Sequence, residues 1–378
     1  MATRVAAGPA PAAAGGTPPA AGPPRRGLVL GGGGMLGAAW TVGALCAVEE
    51  ATGRPPGGAD VLLGTSAGAI LAAMLAGGVR PEQLRDHQRG LAVTEGPLAG
   101  VAFAYDTAVG GALPPRPRAG IGSPGLLRDA VRHPRRYPLL TMVSAIAPHG
   151  RGSLAPVGEL VRDLLGDGAA PGDGAAPGEG APPAGGWSGP DGRASPLRVV
   201  AVDYRGGRRV VFGDPDAPAV PVPDAVMASC AIPGWFAPVR LEGSAYVDGG
   251  CWSATNADLA LGRGLEEVYV LAPMALRLDR APGRSGRPVR ETLAALREWR
   301  ARDRPRGVLA QLVSRYRHAV TRQLLREAAL LRAEGVRVRL LAPTLADLAV
   351  MGPNMMDPAR RGAVLESALR TSREALRA

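Results

Sequence analysis

The pentapeptide Gly64-Thr65-Ser66-Ala67-Gly68 lies between the apolar run Val61-Leu62-Leu63 and an apolar stretch that reaches Leu75. A serine in a G-x-S-x-G turn between a buried strand and a helix sits on a sharp bend with its hydroxyl exposed above the sheet. The helix N-terminus behind it favours developing negative charge. Ser66 is therefore a candidate nucleophile, with Gly64 and Gly68 as the small residues that let the turn close. The same pattern also occurs as a plain glycine-rich turn, so its partners must decide.

Gly31 to Gly34, then Gly37, follow the apolar run Arg26-Gly27-Leu28-Val29-Leu30. Gly32-x-Gly34-x-x-Gly37 matches a dinucleotide fingerprint. Such a site also wants an acidic residue after the next strand, about 20 residues on. Here the next strand runs into Gly64-Thr65-Ser66 without one. The other use of the loop is an oxyanion hole, in which the N–H groups of Gly32, Gly33 and Gly34 point at one spot. A third feature is Asp248, which ends Ala245-Tyr246-Val247 and precedes Gly249-Gly250. In a parallel sheet the C-terminal ends of strands gather on one edge, so all three features would meet there. His87 and His318 fall in expected helices, and His133 and His149 in an irregular middle segment, so none is offered as a base by its context.

Composition removes several alternatives. The 378 residues contain no lysine, which excludes a Walker A loop, Schiff-base chemistry and Ser-Lys dyads. Cys46, Cys230 and Cys251 are scattered, and the four histidines lack ligand spacing, so neither a disulfide framework nor a zinc site is expected. No metal and no cofactor are expected. Met1 to Pro24 lacks a continuous apolar core, so a secretory signal is not expected and the cytoplasm is the expected location. No apolar run approaches the ~18 residues of a membrane span.

The elements that must position these residues follow from periodicity and punctuation. Strands are expected at 26–30, 61–63, 197–203, 208–212, 245–247, 268–271 and 336–341. Helices are expected at 38–51, after Gly68 to about 75, from Pro81, at 157–165, 224–230, from Asn256, over much of 290–334, and at 358–378. Strands alternating with helices imply an α/β fold, a three-layer α/β/α sandwich with a mainly parallel central sheet. Residues 1–25 read as a tail. Residues 166–194 read as a low-complexity insert because Gly-Asp-Gly-Ala-Ala-Pro recurs at 166–171 and 172–177. The expected organisation is a catalytic domain over 26–275, with an Arg-rich helical region, a strand and a C-terminal helix over 276–378 packed on it.

Taken together, Gly32-Gly33-Gly34-Met35-Leu36-Gly37, Gly64-Thr65-Ser66-Ala67-Gly68 and Asp248-Gly249-Gly250 resemble the patatin-like phospholipase family. The connecting segments Ala228-Ser229-Cys230-Ala231-Ile232-Pro233, Pro238-Val239 and Tyr246-Val247, with Asn256 beyond, are similar too. The resemblance implies a Ser66–Asp248 dyad, an oxyanion hole at Gly32 to Gly34, and cleavage of acyl esters of lipids without a metal. It implies a lipid ester (phospholipid, lysophospholipid or acylglycerol) as partner. One position departs from the family: the basic residue usual before the last loop glycine is Leu36 here. That keeps a binding member of the same fold as an alternative, with a nucleotide-binding oxidoreductase behind it.

Residues 284–339 hold 15 Arg against Glu291, Glu298, Asp303, Glu327 and Glu334, and so carry most of the chain's net charge of +11. Arg-rich amphipathic helices lie on anionic membranes. Leu293, Leu296, Trp299, Leu309, Leu312, Val313, Tyr316 and Val320 would form the apolar face of a peripheral membrane contact. The competing reading is a packed helix pair with a solvated Arg face. Nucleic acid is not expected, because stacking aromatics and a binding module are missing from the pattern.

Overall fold

The computed structural model describes residues 23–101, 103–104, 115–165, 187, 194–277 and 308–377. In chain order the first half gives β1 (Arg26–Leu30), α1 (Gly34–Thr52), β2 (Val61–Thr65), α2 (Ala67–Ala76), α3 (Pro81–Gln88), α4 (Pro124–Arg132), α5 (Leu139–Ile146) and α6 (Ala155–Leu165). The second half gives β3 (Leu197–Asp203), β4 (Arg209–Phe212), α7 (Val222–Cys230), β5 (Val239–Leu241), β6 (Ser244–Asp248), β7 (Glu267–Leu271), α8 (Val308–Ala333), β8 (Arg337–Leu341), α9 (Leu345–Met351) and α10 (Arg361–Arg377). The repeat at 166–177 and the residues around Trp299 lie outside the described residues.

The sheet runs β5-β6-β3-β2-β1-β7-β8, with β4 also on β3. The strands β3, β2, β1, β7 and β8 are mutually parallel, β4 and β6 run antiparallel to β3, and β5 pairs antiparallel with β6. The central strands are apolar on both faces because helices cover both, as βαβ crossovers require. Side chains alternate across the sheet. Leu28, Leu30 and Leu62 enter the core under α1 and α2. Val29, Leu63 and Val200 enter a second core, to which Val320, Leu324 and Leu331 of α8 belong. The expected mainly parallel α/β/α architecture is therefore present, and β3–β4 is the antiparallel pair read around Arg205-Gly206-Gly207.

Three differences from the sequence reading have physical causes. First, α1 begins at Gly34 rather than Ala38, because the glycine loop itself winds into the first turn. Second, the segment after Asn256 forms only a short 3₁₀ turn, Ala257–Ala260, since Asn256 itself is left-handed at φ 52°. Third, α8 is a packing helix. Of the face expected to meet a membrane, Val320 is buried and Val313 and Tyr316 are half-buried, whereas Leu312 is exposed. Leu293, Leu296 and Trp299 lie outside the described residues. Among the described residues no helix is long and apolar enough to cross a membrane.

Candidate active site

The pairing register explains why Ser66 and Asp248 meet. Thr65, the last residue of β2, pairs with Val200 of β3, and Asp248, the last residue of β6, pairs with Ala201. β4 covers the other edge of β3 over Val199–Val202. β2 and β6 therefore share one edge and meet end to end. Residues 182 positions apart, Ser66 and Asp248, are thus set against adjacent residues of one strand.

Ser66 sits between β2 and α2 at φ 55°, ψ −127°, a backbone region that residues with a side chain rarely occupy. Two contacts hold the bend. The Ser66 amide donates to the Ser229 hydroxyl at 2.9 Å, and that hydroxyl donates to the Val200 carbonyl at 2.6 Å. The flanking glycines are required by close approach. A Cβ at Gly68 would lie 2.1 Å from the Leu30 carbonyl oxygen, and one at Gly64 would lie 2.5 Å from Ala69 Cα.

Asp248 is buried, and its amide donates to the Ala231 carbonyl at 3.0 Å. Its carboxylate accepts from the Gly250 amide at 2.7 Å and lies close enough to the Ser66 hydroxyl to feel its pull. Loss of hydration pushes its pKa from 3.8 up to about 6, against the opposing pull of the Ser66 hydroxyl and the Gly250 amide. Asn256 locks the turn that follows, donating from Nδ2 to Thr65 Oγ1 at 3.1 Å, to the Gly249 carbonyl at 3.3 Å and to the Ser253 carbonyl at 2.7 Å.

The glycine loop lies beside the serine. A Cβ placed on Gly32 would lie 3.0 Å from Ser66 Cβ. The sequence reading assigned three amide donors to this loop, and one must be withdrawn: the Gly32 N–H already donates to the Ala254 carbonyl at 2.8 Å. Gly37 caps the arrangement by donating to the Gly33 carbonyl at 3.0 Å. The amides of Gly33 and Gly34, at the first turn of α1, have no partner among the described residues and remain as donors.

Two cavities meet at Ser66. One, of about 770 Å³, runs between α1, α2, α6 and α7 and is walled by apolar side chains such as Ile70, Met74, Leu84, Val157 and Phe236. The other, of about 1140 Å³, contains Asp248 and the glycine loop, and its wall includes Leu140, Val143, Trp235 and Tyr316.

A family model described as patatin-like phospholipase matches residues 28–261. The chain belongs to the patatin-like phospholipase family. The chain is also similar in structure to VipD from Legionella pneumophila, at 14% identity and a TM-score of 0.41, covering 94% of this chain and 67% of that one. No curated protein matches it.

The remaining features of this family member separate the residues that gather at the site from those that do not. None of the four histidines lines either cavity. His87 bonds the Val101 carbonyl, His133 pairs with Asp129, His149 bonds the Gly122 carbonyl and His318 the Ser314 carbonyl. Among the described residues no group of three or more His, Cys, Asp or Glu is placed to hold a metal ion. Leu36 is fully buried in the core. A buried cation comes instead from α8: Arg317, 3% exposed, donates to the Pro273 carbonyl at 3.0 Å. The Pro273 ring abuts both Gly33 and Gly37. Sequence reasoning missed Arg317, and it gave no role to Ser229 or Asn256. The one local signal was the residue type of Asn256, since Asn tolerates the left-handed region, in which it sits at φ 52°, better than most residues.

Proposed function

We propose that this family member is a serine acyl hydrolase of lipid esters working through a Ser66–Asp248 dyad. The observation that carries the reading is the strained Ser66 bend, set beside the buried Asp248 carboxylate at the junction of two cavities. Asp248 takes the Ser66 proton as Ser66 Oγ attacks the ester carbonyl. A pKa raised to about 6 makes it a better base than an ordinary carboxylate while leaving it ionised at neutral pH. The Gly33 and Gly34 amides then face the tetrahedral oxyanion, an effect of about 3 kcal/mol per donor in comparable sites. Asp248 returns the proton to the departing alcohol, leaving an acyl-Ser66. A water deprotonated by Asp248 attacks that ester, and the fatty acid leaves with Ser66 reprotonated.

The same chemistry orients the substrate. The leaving oxygen must lie within reach of Asp248, so the alcohol portion occupies the larger cavity. The acyl chain then runs into the apolar one, whose burial of methylenes favours it by about 0.8 kcal/mol each. The test is release of fatty acid from a panel of acylglycerols, lysophospholipids and diacyl phospholipids. Wild type should release fatty acid from at least one class, and Ser66→Ala and Asp248→Asn from none. Full activity in Asp248→Asn would contradict the dyad. Leu36 in the basic residue's place favours a second reading, a weak lipid-binding member, which would bind the same lipids without release.

A further inference from the structure

Helix α5 is built inside out. Its sequence is Leu139-Leu140-Thr141-Met142-Val143-Ser144-Ala145-Ile146, and its buried residues are Thr141, Ser144 and Ala145. Leu139, Val143 and Ile146 instead face outward, 72%, 53% and 57% exposed. Their spacing of four and three residues puts them on one stripe of the helix. A surface helix ordinarily does the reverse and turns its apolar stripe inward. The polar residues are not idle inside. Thr141 Oγ1 donates to the Cys251 carbonyl at 2.7 Å, the Ser144 hydroxyl donates to the Thr141 carbonyl at 2.7 Å, and the Ser144 backbone carbonyl accepts from the Tyr204 hydroxyl at 2.7 Å. Cys251 belongs to the short turn Gly249–Cys251 that directly follows Asp248. The inverted helix is therefore pinned to the base-bearing turn, and its outer stripe is left exposed.

We infer that α5 is a lipid-docking surface that seats the mouth of the site on a bilayer, an inference that rests on the lipid-ester reading above. Continuity identifies the occupant. Val143 belongs both to the exposed stripe and to the wall of the larger cavity, and Leu140 lines that cavity as well. An ester lipid leaving a bilayer across this stripe passes from one apolar surface to the next without crossing water. Charge agrees. Arg132, the last residue of α4, and Arg135 and Arg136 before α5 are all exposed, Arg136 pairing with Asp129, and basic residues beside an apolar stripe favour anionic lipid surfaces. Ile121 and Val131, nearby in the chain, are also more than half exposed. This places the membrane contact on α5 rather than on the Arg-rich helix, whose Val320 and Arg317 are buried.

The test uses the full chain and the double variant Leu139→Asp with Ile146→Asp, two exposed positions outside both cavities. Three readings are taken: co-sedimentation with vesicles of phosphatidylcholine and phosphatidylglycerol at roughly three to one, hydrolysis of an ester lipid carried in those vesicles, and hydrolysis of a soluble short-chain nitrophenyl ester. The variant should lose vesicle binding and vesicle hydrolysis by about tenfold or more, and should keep the soluble-ester rate within about twofold. Vesicle binding and hydrolysis equal to wild type would overturn the inference. So would a wild type that does not bind vesicles, or one that dimerises through this stripe, seen as a mass shift that the variant abolishes. If vesicle binding depends on the stripe but no ester is cleaved, the docking surface stands and the hydrolase reading falls.

Discussion

Two adjacent strand–loop–helix units build the site with opposite solutions to one problem. β1–α1 and β2–α2 lie side by side, with Leu30 paired to Gly64, and both helices are buried over most of their length. In the first unit the bend is made by glycines, Gly33 extended and Gly34 at φ 61°, so backbone amides are the only groups presented. In the second unit the bend falls on Ser66, a residue with a side chain in a region that disfavours one. The first bend is conformationally cheap and the second is strained. The comparison teaches that amide donors need only space, whereas a nucleophile must be held in a conformation that its neighbours impose. Ser229, Gly64 and Gly68 do that holding.

The sharpest break in this comparison is Ser66→Ala, which removes the only nucleophile from the strained unit. It should lower turnover by at least about 10⁴-fold with no loss of fold, read by steady-state kinetics beside a thermal melt. Next comes Asp248→Asn, expected to cost about 10³-fold or more in kcat. It should also stabilise the protein. Burial raises the carboxyl of the folded chain to about 6, against 3.8 for an unperturbed aspartate. This group's stabilisation is therefore fully present below pH 3.8 and is lost as pH rises through about 6. The asparagine escapes that loss, so the variant should melt higher than wild type at pH 8 and show no such advantage at pH 4. A lower melting temperature at pH 8 would contradict the burial argument.

Wild-type kcat/KM should rise with pH as Asp248 ionises, with a midpoint near pH 6. A midpoint near pH 4 would show that the carboxylate is solvated. In the glycine unit, Gly33→Ala would bring a Cβ within 2.9 Å of Gly37 Cα and of the Pro273 ring. The loop must then shift, and kcat should fall about 10²-fold with KM little changed, as expected when an interaction made in the transition state is lost. The smallest effect tests the strain itself. Ser66→Gly relieves the positive φ and should stabilise the fold by about 1 kcal/mol, measured by chemical denaturation.

Much of this was legible in the sequence because it is local. A buried strand, a glycine-rich bend and an apolar helix follow one another within about a dozen residues, and periodicity reads such units. Asp248 was legible only in combination with the other two motifs, since a lone Asp-Gly is an ordinary turn. The rest depends on partners distant in the chain. The Gly32 amide is taken by Ala254, the Ser66 amide by Ser229, and the glycine loop is backed through Pro273 by Arg317. Nothing within a local window specifies such pairings. α5 was also hidden: no helix was expected at 139–146, and its orientation is decided by Thr141, whose hydroxyl finds the Cys251 carbonyl on the catalytic side.

The central claim is that Ser66 is an activated nucleophile, and intact-mass analysis after treatment with a fluorophosphonate tests it most directly. One covalent adduct is expected on the wild-type chain, mapped to Ser66, and none on Ser66→Ala. A folded wild type that takes up no adduct, or a Ser66→Ala variant that is labelled as readily, would contradict it.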